Sequence, residues 1–460
     1  MPHPTLQLAR TLFAAVCCSA AVASAQSVCG EWVPLIETIR GGFPEAGARI
    51  SEMIVFDDGS GPMLYAGGNF EVIIDPVFGE VRAPGLARWD GTRWSAVPGL
   101  VGPGLELDGR VIALEVWDNG TGPALYMGGA FSTAAGLDAN RIVRWDGATW
   151  TTLGDRSLPG LLGRVIAIQP HDFGDGEHLY VGGDFVFGPA QPAPGVHRWD
   201  GIAWSTAGES GPTDGAVYEM TSFAGDLYAS GRFIRLGDAT GAGIGRFDGS
   251  EWSVPAGPGQ EVLSNEFWPL LPHTIDGAEV LVAGGRFGIR EGGDHIATRL
   301  ANWDGTRWSP MDPALPLPFQ PIDIVAFDDG SGETLFVSGN EIAQRSGIGR
   351  LRDGEIQPLQ QGVDSGGFDM FVHDDGSGPA LYVAGNFIDF SGGPSFLARW
   401  QPGPRCRLDL SGDCLLDVYD FLAFQDLFMS GDPAADFDGD GSLTIFDFLA
   451  FQNAFDAGCP

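Results

Sequence analysis

One short phrase recurs along most of this chain of 460 residues. It reads Leu-Tyr-x-Gly-Gly-x-Phe, and Arg-Trp-Asp-Gly-x-x-Trp follows it some 15 to 25 residues later. Seven copies align, with anchors at the final Phe position that lie 46 to 61 residues apart: Phe70, Phe131, Phe185, Phe233, Phe287, Glu341 and Phe387. Because a supersecondary unit copied at a regular period determines the whole architecture, this repeat constrains the fold more than any single residue does.

Each copy carries the pattern of four short strands. In the second copy, residues 111–116 alternate in polarity, residues 118–122 form a Gly-rich turn, and the Leu-Tyr run follows. A second hairpin turns at Asp146, between the strand that carries Trp145 and the strand that carries Trp150. Four antiparallel strands in a period near fifty residues predict an all-β fold, a seven-bladed β-propeller of four-stranded blades.

The seventh copy lacks its fourth strand, because it stops at Trp400 and runs into a Pro-Gly-Pro segment. Residues 30–35, with Trp32, resemble the Gly-x-x-Trp strand of the other copies. We therefore expect the N-terminal strand to complete blade seven and close the ring, which removes exposed sheet edges.

The Gly-Gly doublet at the end of the second strand and the Trp on the fourth strand resemble those of the Kelch and galactose-oxidase-like propellers. The resemblance covers roughly residues 30–400. It implies a fold and does not imply a chemistry, since one propeller fold hosts many functions.

The N-terminus has the features of a secretory signal. Arg10 precedes an apolar run over residues 11–22, and a small-residue cleavage site ends at Ala25. The sequence thus predicts a signal peptide over residues 1–25 and a secreted, extracellular or cell-surface protein. No second stretch is long and apolar enough to be a transmembrane segment.

Four cysteines follow the predicted signal: Cys29, Cys406, Cys414 and Cys459. An even number suits an oxidising compartment and allows three connectivities. A disulfide between Cys406 and Cys459 is favoured because these residues bracket the C-terminal segment, and Cys29 with Cys406 is the alternative.

The charge of the chain excludes some partners. The net charge is −35, and the 25 basic residues are all arginines. Nucleic acids and anionic membranes are repelled by such a chain, whereas metal ions and other cations are attracted. Acidity also keeps an exported protein soluble without any specific partner.

After Pro404 the composition changes to a duplicated Asp-rich loop of twelve residues. Oxygen-bearing groups at positions 1, 3, 5, 9 and 12, with a main-chain carbonyl at position 7, suit the many-oxygen shell of Ca²⁺. In the second loop these positions are Asp436, Asp438, Asp440, Ser442, Thr444 and Asp447, and in the first they are Asp409, Ser411, Asp413, Leu415, Asp417 and Asp420. Gly441 stands at position 6 of the second loop, but Cys414 replaces it in the first. Because a side chain strains that turn, the sequence predicts one or two Ca²⁺ ions.

The C-terminal module, which carries the duplicated loop and ends in Gly458 and Cys459, resembles a dockerin with its pair of EF-hands. The resemblance implies calcium-dependent folding and tethering to a cohesin-like partner or to the cell surface. We expect the helices after the loops to form the module's core with these residues: Phe421, Leu422, Phe424, Phe448, Leu449 and Phe451. The predicted domains are residues 1–25, the signal; residues 26–402, the propeller; and residues 403–460, the dockerin-like module.

Tryptophan is abundant, but eleven of the thirteen tryptophans occupy repeat positions. We interpret those as scaffold. Trp117 and Trp268 lie outside the motif and are the candidate ligand-binding aromatics. No nucleophile elbow, zinc motif or phosphate loop is present, so catalytic residues are unknown.

The sequence favours a secreted calcium-binding propeller that is tethered by its C-terminal module and binds a polysaccharide or a protein. The alternative is an extracellular polysaccharide-degrading enzyme, a glycoside hydrolase or lyase that carries a dockerin, whose carboxylate pair is assembled from distant loops.

Overall fold

The computed structural model describes residues 26–27, 30–42, 47–154, 161–184, 186–187, 191–192, 195–208, 215–233, 235–236, 239–240, 243–311, 319–330, 332–342, 346–352, 355–359, 369–388, 394–402, 407–410, 415–416 and 418–458. The described residues fall into two compact units. One spans Val33–Arg399, and the other consists of described residues up to Trp32 and from Trp400 onward.

Seven four-stranded antiparallel sheets contain most of the described strands. Three short strands come first: β1 (Gln26–Ser27), β2 (Gly30–Pro34) and β3 (Thr38–Arg40). The first sheet contains β4 (Arg49–Asp57), β5 (Pro62–Asn69), β8 (Leu86–Trp89) and β9 (Trp94–Ala96). The second contains β10 (Arg110–Asp118), β11 (Pro123–Ala130), β14 (Ile142–Trp145) and β15 (Trp150–Thr152). The third contains β17 (Val165–Asp172), β18 (Glu177–Gly183), β21 (Val196–Trp199) and β22 (Trp204–Thr206).

The remaining sheets repeat this order. The fourth contains β23 (Ala216–Phe223), β24 (Asp226–Arg232), β27 (Ile244–Phe247) and β28 (Trp252–Ser253). The fifth contains β29 (Gln260–Ile275), β30 (Ala278–Glu291), β31 (Asp294–Trp303) and β32 (Trp308–Pro310). The sixth contains β33 (Pro321–Asp328), β34 (Glu333–Ile342), β35 (Ser346–Arg352) and β36 (Glu355–Pro358). The seventh contains β37 (Asp369–Asp374), β38 (Pro379–Ile388) and β39 (Pro394–Pro402), with β2 as its fourth strand.

Short strands form small sheets beside the main ones. One contains β3, β6 (Val72–Asp75) and β7 (Gly79–Arg82), and another contains β12 (Thr133–Ala134) and β13 (Leu137–Asp138). A third contains β16 (Leu161–Leu162), β19 (Val186–Phe187) and β20 (Gln191–Pro192). The fourth contains β25 (Arg235–Leu236) and β26 (Ala239–Thr240). Most lie between the second and third strands of a sheet. Insertions therefore gather at the sheet ends where the first strands begin.

The Gly-Gly doublet is required by close packing. A Cβ atom on Gly68 would lie 2.2 Å from the carbonyl oxygen of Arg49 on the paired strand, and one on Gly67 would lie 2.6 Å from Cγ1 of Val111 in the next sheet. Both distances are shorter than van der Waals contact allows. The doublet thus lets the second strand approach its own partner and the neighbouring sheet.

Apolar side chains form the cores between successive sheets. The first and second sheets share a core that includes Tyr65 and Leu125, and Tyr382 of the seventh sheet shares a core with Met53 and Leu64 of the first. Within the described residues, the first strands contact one another in the order β4, β10, β17, β23, β29, β33 and β37, and β37 contacts β4.

In the first five sheets, the tryptophan of the fourth strand donates a hydrogen bond to a carbonyl that follows the preceding sheet. The indole Nε1 of Trp150 donates to the carbonyl of Pro98 at 2.8 Å, and that of Trp308 donates to Pro255 at 2.7 Å. In the same way, Trp94 of the first sheet donates to Leu35 at 2.9 Å. Each of these acceptors lies three or four residues beyond the fourth-strand tryptophan position of the preceding sheet.

The C-terminal part of the second unit has two helices, α1 (Val418–Ser430) and α2 (Ile445–Ala457), with a short 3₁₀ helix at Pro433–Ala435. Strand β40 (Leu415–Leu416) pairs with β1. The helices pack through Phe424, Phe448 and Phe451, and the rings of Phe424 and Phe451 stack with centroids 4.5 Å apart. No helix among the described residues is long and apolar enough to cross a membrane.

Candidate metal centre and inner-strand carboxylates

Three carboxylates converge in the loop that precedes α2. Asp436, Asp438 and Asp440 each offer an oxygen, and these oxygens all lie within 4.8 Å of one another. Ligands of one Ca²⁺ ion, at about 2.3 to 2.6 Å from the metal, are themselves no more than about 5 Å apart. The spacing of the three oxygens therefore fits a shared calcium ion.

Main-chain N–H groups hold the carboxylates in place. Asp436 accepts hydrogen bonds from Gly439 at 2.8 Å and from Gly441 at 2.9 Å, and Asp438 accepts one from Asp440 at 3.1 Å. The N–H of Ser442 donates to Asp440 at 2.8 Å. Gly441 has a φ of +81°, which explains why glycine suits position 6 of the loop.

The end of the loop is fixed by the start of α2. The carboxylate of Asp447 is fully buried and accepts hydrogen bonds from the N–H groups of Thr444 at 2.7 Å and Asp438 at 3.2 Å. Thr444 caps the helix, because its hydroxyl accepts from the N–H of Phe446 at 3.1 Å. Although burial opposes the effect, hydrogen bonds from the N–H groups of Thr444 and Asp438 lower the pKa of Asp447.

The charges of the neighbouring carboxylates act on Asp438. The N–H of Asp440 favours the charged form of Asp438, but desolvation and the charges of Asp440, Asp447 and Asp436 together raise the pKa of Asp438. Packed carboxylates of this kind repel one another until a cation joins them. Arg407 supports the entrance of the loop, donating to the carbonyl of Asp436 at 2.6 Å and lying 4.5 Å from the ring centroid of Phe437.

The first loop is described only in part. Asp409 and Leu415 are described, and Asp420 is fully buried in the first turn of α1, as Asp447 is in α2. Ser411, Asp413 and Asp417 lie outside the described residues. The same holds for the cysteines of the predicted disulfide and its alternative: Cys29, Cys406, Cys414 and Cys459. The first calcium loop and the disulfide stay predictions.

The helices expose equivalent apolar residues. Each pair is separated by 27 residues, the period of the duplication: Val418 and Ile445, Tyr419 and Phe446, Leu422 and Leu449. We call these six residues the apolar pairs. The expectation that Leu422 and Leu449 belong to the core is wrong, because they are 49% and 45% exposed. Phenylalanines one or two residues away, Phe424, Phe448 and Phe451, fill the space between the helices instead.

The two candidate ligand-binding tryptophans have different surroundings. Trp117 is only 3% exposed, and its indole donates to Glu177 at 2.8 Å. This location does not support a ligand-binding role for Trp117, because the ring lies in the core between the second and third sheets. Trp268 is half-buried on β29, and its ring centroid lies 6.4 Å from that of Tyr218.

The Asp-Asp-Gly-Ser-Gly turns use their carboxylates internally. Asp57 accepts from the N–H groups of Gly59 at 2.8 Å and Gly61 at 3.0 Å. Asp58 accepts from the hydroxyl of Tyr65 at 3.0 Å and pairs with Arg88. The turn thus explains why its repeat also contains Tyr and Arg.

Sequence reasoning missed a group of carboxylates on the first strands. Four of them occupy one register position, opposite the first residue of the Gly-Gly doublet or its substitute: Glu52, Glu219, Asp323 and Asp369. We call these the inner carboxylates. They are half-buried. Burial, followed by the charges of Asp369, Glu219 and Asp323, raises the pKa of Glu52 well above its ordinary value. Charges from the first, fourth, sixth and seventh sheets therefore act on one another.

Three inner carboxylates also join neighbouring first strands. Asp323 of the sixth sheet accepts from the N–H of Met370 in the seventh at 2.6 Å. Glu219 accepts from the N–H of Leu270 in the fifth sheet at 3.3 Å, and a main-chain hydrogen bond from Met53 joins Asp369 to the first sheet. Glu52 has no hydrogen-bond donor within the described part of the chain. Glu52 therefore contributes least among the inner carboxylates to the hydrogen bonds between neighbouring strands.

Comparisons with known proteins give no family. No protein-family model matches the chain, and no curated protein matches it. The structure overlaps with the extracellular domain of a hybrid two-component system from B. thetaiotaomicron, with a TM-score of 0.46, 10% identity, and coverage of 82% of this chain and 40% of that one. It also overlaps with an ancestral GH74 enzyme, with a TM-score of 0.41, 12% identity, and coverage of 84% and 48%. The chain spans less than half the length of either protein. Overlap at this level carries no argument about function.

Proposed function

We propose that this is an exported, calcium-binding protein in which a closed seven-bladed β-propeller binds an extracellular ligand and the C-terminal module tethers it to a protein partner. One observation carries the calcium assignment. The oxygens of Asp436, Asp438 and Asp440 converge within 4.8 Å while Asp447 is fixed at the last position of the loop. Oxygen ligands in this arrangement suit Ca²⁺.

Closure of the propeller is supported by three observations where the N-terminal strand, the first sheet and the seventh sheet meet. Strand β2 takes the fourth position of the seventh sheet. Leu35, just beyond β2, accepts the indole hydrogen bond of Trp94, and Asp369 accepts from Met53. These contacts are the same kinds that join other neighbouring sheets.

Calorimetric titration with Ca²⁺ tests the calcium assignment. The full chain should bind at least one Ca²⁺ ion, and the double variant Asp436→Ala with Asp440→Ala should lose that site. Asp432→Ala is the matched control, because Asp432 caps the 3₁₀ helix through the N–H of Ala434 and lies outside the loop. Equal Ca²⁺ binding by wild type and the double variant would contradict the proposal.

The tethering role is supported by the apolar pairs. Tyr419 and Phe446 are 60% and 64% exposed, and water contact with such side chains is unfavourable unless another surface covers them. Both stand at position 11 of their loops, so calcium binding and partner binding would involve the same segments. A cohesin-like protein is the partner that we propose, as the resemblance to dockerins implies.

Binding to a cohesin panel by surface plasmon resonance tests the tether. Binding should require Ca²⁺ and should be weakened by Tyr419→Ser with Phe446→Ser. Met429→Ser at the far end of α1, where Met429 is 42% exposed, serves as the control. Unchanged binding by the Tyr419 and Phe446 double variant would exclude the apolar pairs as the contact surface.

Polysaccharide cleavage is the second candidate function, and the inner carboxylates favour it. A general acid needs a raised pKa near the working pH, and burial and neighbouring charges raise the pKa of Glu52 and Glu219. Release of reducing ends from a polysaccharide panel tests this candidate. Cleavage that Glu52→Gln abolishes would replace the binding role with an enzymatic one.

A further inference from the structure

Three arginines occupy one register position at the beginning of consecutive first strands. In the strand register, Arg49 lies opposite Asn69 and Arg110 lies opposite Ala130. Both partners stand at the end of the second strand of their sheet. Arg164 directly precedes β17, and its N–H donates to Asp184 at the corresponding end. Because the first strands of these sheets contact one another in sequence, the structure brings the arginines to neighbouring positions. We call them the arginine cluster.

The charges in the arginine cluster act on one another. Partial burial and then the charge of Arg164 lower the pKa of Arg49. Partial burial and then the charges of Arg49 and Arg164 lower the pKa of Arg110. Like charges crowded in this way make the addition of an anion favourable.

Local carboxylates neutralise the cluster only in part. Asp184 forms an ion pair with Arg164, in which Nε of Arg164 lies 2.8 Å from Oδ2 of Asp184. Nε of Arg110 is buried and has no hydrogen-bond partner among the described residues. A buried donor without an acceptor is unfavourable. In a chain of net charge −35, partly unpaired arginines are notable because acidic partners are so abundant.

Aromatic rings adjoin the cluster. Tyr218 on β23 is close enough to Arg164 for its charge to act on the tyrosine hydroxyl, and Tyr218 also bonds to Glu266. The rings of Tyr218 and Trp268 lie 6.4 Å apart at an angle of 50°, and both are half-buried. Aromatic faces with partial exposure offer apolar surface on which a sugar ring can stack.

We propose that the arginine cluster and the Tyr218–Trp268 pair together bind an acidic saccharide, whose carboxylate or sulfate groups contact the guanidinium groups while a sugar ring contacts the aromatic pair. A guanidinium presents a planar fork of donors that matches these anions. This inference rests on the binding role proposed for the propeller, and it does not require Ca²⁺ in the C-terminal module.

The acidic surface of the protein does not prevent such binding. At physiological salt the Debye length is about 8 Å, so repulsion between the ligand and distant carboxylates is screened. Contacts at hydrogen-bond distance with the arginine cluster are screened much less. Titrations are therefore informative at an ionic strength of about 0.15 M.

Titration calorimetry of the full chain with four probes tests the proposal: an oligogalacturonate, a sulfated dextran oligosaccharide, a neutral dextran oligosaccharide and sodium sulfate. At least one acidic oligosaccharide should bind, more tightly than both the neutral oligosaccharide and sulfate. The galacturonate and sulfated arms distinguish carboxylate from sulfate as the preferred group. If neither acidic probe binds, or if the neutral probe binds as tightly, the proposal is overturned.

Variants assign the binding to these residues. Arg110→Gln should weaken binding of the acidic probe by about tenfold or more, because it removes a charge-assisted hydrogen bond. Arg307→Gln is the matched control, since Arg307 lies in a turn of the fifth sheet and pairs with Glu291. Trp268→Ala should weaken binding of the saccharide and leave binding of sulfate unchanged. Identical affinities for wild type and Arg110→Gln would overturn the proposal.

Two further results separate this inference from the function proposed above. The double variant Asp436→Ala with Asp440→Ala should bind the acidic probe as wild type does, which separates the saccharide site from the calcium site. Retention of a neutral polysaccharide without any acidic one would overturn the inference and leave the binding role of the propeller in place. Thermal unfolding of each variant should match wild type, and a folded Arg110→Lys variant should recover part of the affinity because it keeps the charge.

Discussion

The repeated tryptophans act as single residues that join one sheet to the next. Trp94, Trp150, Trp204, Trp252 and Trp308 all donate their indole N–H to a carbonyl that follows the preceding sheet. The sequence predicted their structural role from their repeat positions alone. It could not reveal the acceptors, because a main-chain carbonyl has no signature in the sequence.

Replacing one of these indoles should lower stability through the lost hydrogen bond. Trp308→Phe keeps an aromatic ring but leaves the carbonyl of Pro255 without its donor, so the free energy of unfolding should fall by about 1 to 3 kcal/mol. Urea denaturation measures the change. Trp268→Phe is the control, because Trp268 is half-buried and its ring lies beside that of Tyr218. Equal losses in the two variants would contradict this explanation.

Trp117 shows where reasoning from single residues went wrong. It falls outside the repeated phrase, so the sequence suggested a ligand contact. It nevertheless occupies the position before the Gly-rich turn that Phe56, His171 and Phe327 occupy in other copies, and it is buried as they are. Alignment of the first strands, which lack a fixed motif, would have identified it as scaffold.

At the scale of elements, the two C-terminal helices divide their apolar residues between a core and a surface. Phe424 and Phe451 are fully buried, whereas Leu422 and Leu449 are half exposed. The duplicated sequence predicted both helices and the composition of the second loop. Periodicity could not separate buried from exposed positions, because apolar residues surround most of each helix.

Substitutions in α2 should separate core from surface. Phe451→Ala removes a buried ring that stacks on Phe424. The free energy of unfolding of the module should therefore fall by about 3 to 5 kcal/mol. Leu449→Ser should change stability by no more than about 0.5 kcal/mol, because the side chain is largely exposed. Differential scanning calorimetry in saturating Ca²⁺ measures both. A large loss of stability in Leu449→Ser would contradict this prediction, because it would show that the Leu449 side chain is buried.

At the scale of the whole molecule, carboxylates from separate sheets share one electrostatic environment. Glu52 in the first sheet responds to Glu219 in the fourth and Asp323 in the sixth. The sequence concealed this group, because each member looks like an ordinary polar residue of an alternating strand. Only the arrangement of the sheets brings positions so distant in the chain together.

Stability should also fall as pH rises through the range in which Glu115 of the second sheet ionises. Burial, opposed by the N–H of Val116 and reinforced by the charge of Glu177, raises the pKa of Glu115 from 4.5 to about 7. The folded state therefore holds a proton that the unfolded state releases. Its contribution is fully present below pH 4.5 and is lost as pH rises through about 7.

Glu115→Gln should remove this part of the pH dependence. At pH 8 the variant should be more stable than wild type by up to about 3 kcal/mol, and at pH 4 the two should match. Glu279→Gln, at the exposed start of β30, removes one charge as a control and should leave the pH profile unchanged. Urea denaturation between pH 4 and pH 8 measures the profiles, and a Glu115→Gln profile parallel to wild type would contradict the assignment.

Deletion of the N-terminal strand tests closure of the whole ring. Removing residues 26–36 takes away β2 and the carbonyl of Leu35 that Trp94 contacts. The thermal midpoint should fall well below that of Trp94→Phe, which loses the hydrogen bond but keeps the strand. An unchanged midpoint after the deletion would show that the seventh sheet does not need its N-terminal strand.

The tryptophan bond between sheets also bears on how such a chain could change its number of repeats. Donor and acceptor both belong to the repeat, since the acceptor carbonyl lies a few residues after the fourth-strand tryptophan. A recombination event that adds one whole repeat would supply a tryptophan donor to one neighbouring sheet and a carbonyl acceptor to the other. After the removal of one repeat, the two sheets that become neighbours would still have a donor and an acceptor for each other. The boundary is thus interchangeable among the sheets that carry this hydrogen bond, and their number can vary in evolution without the need for a new interface.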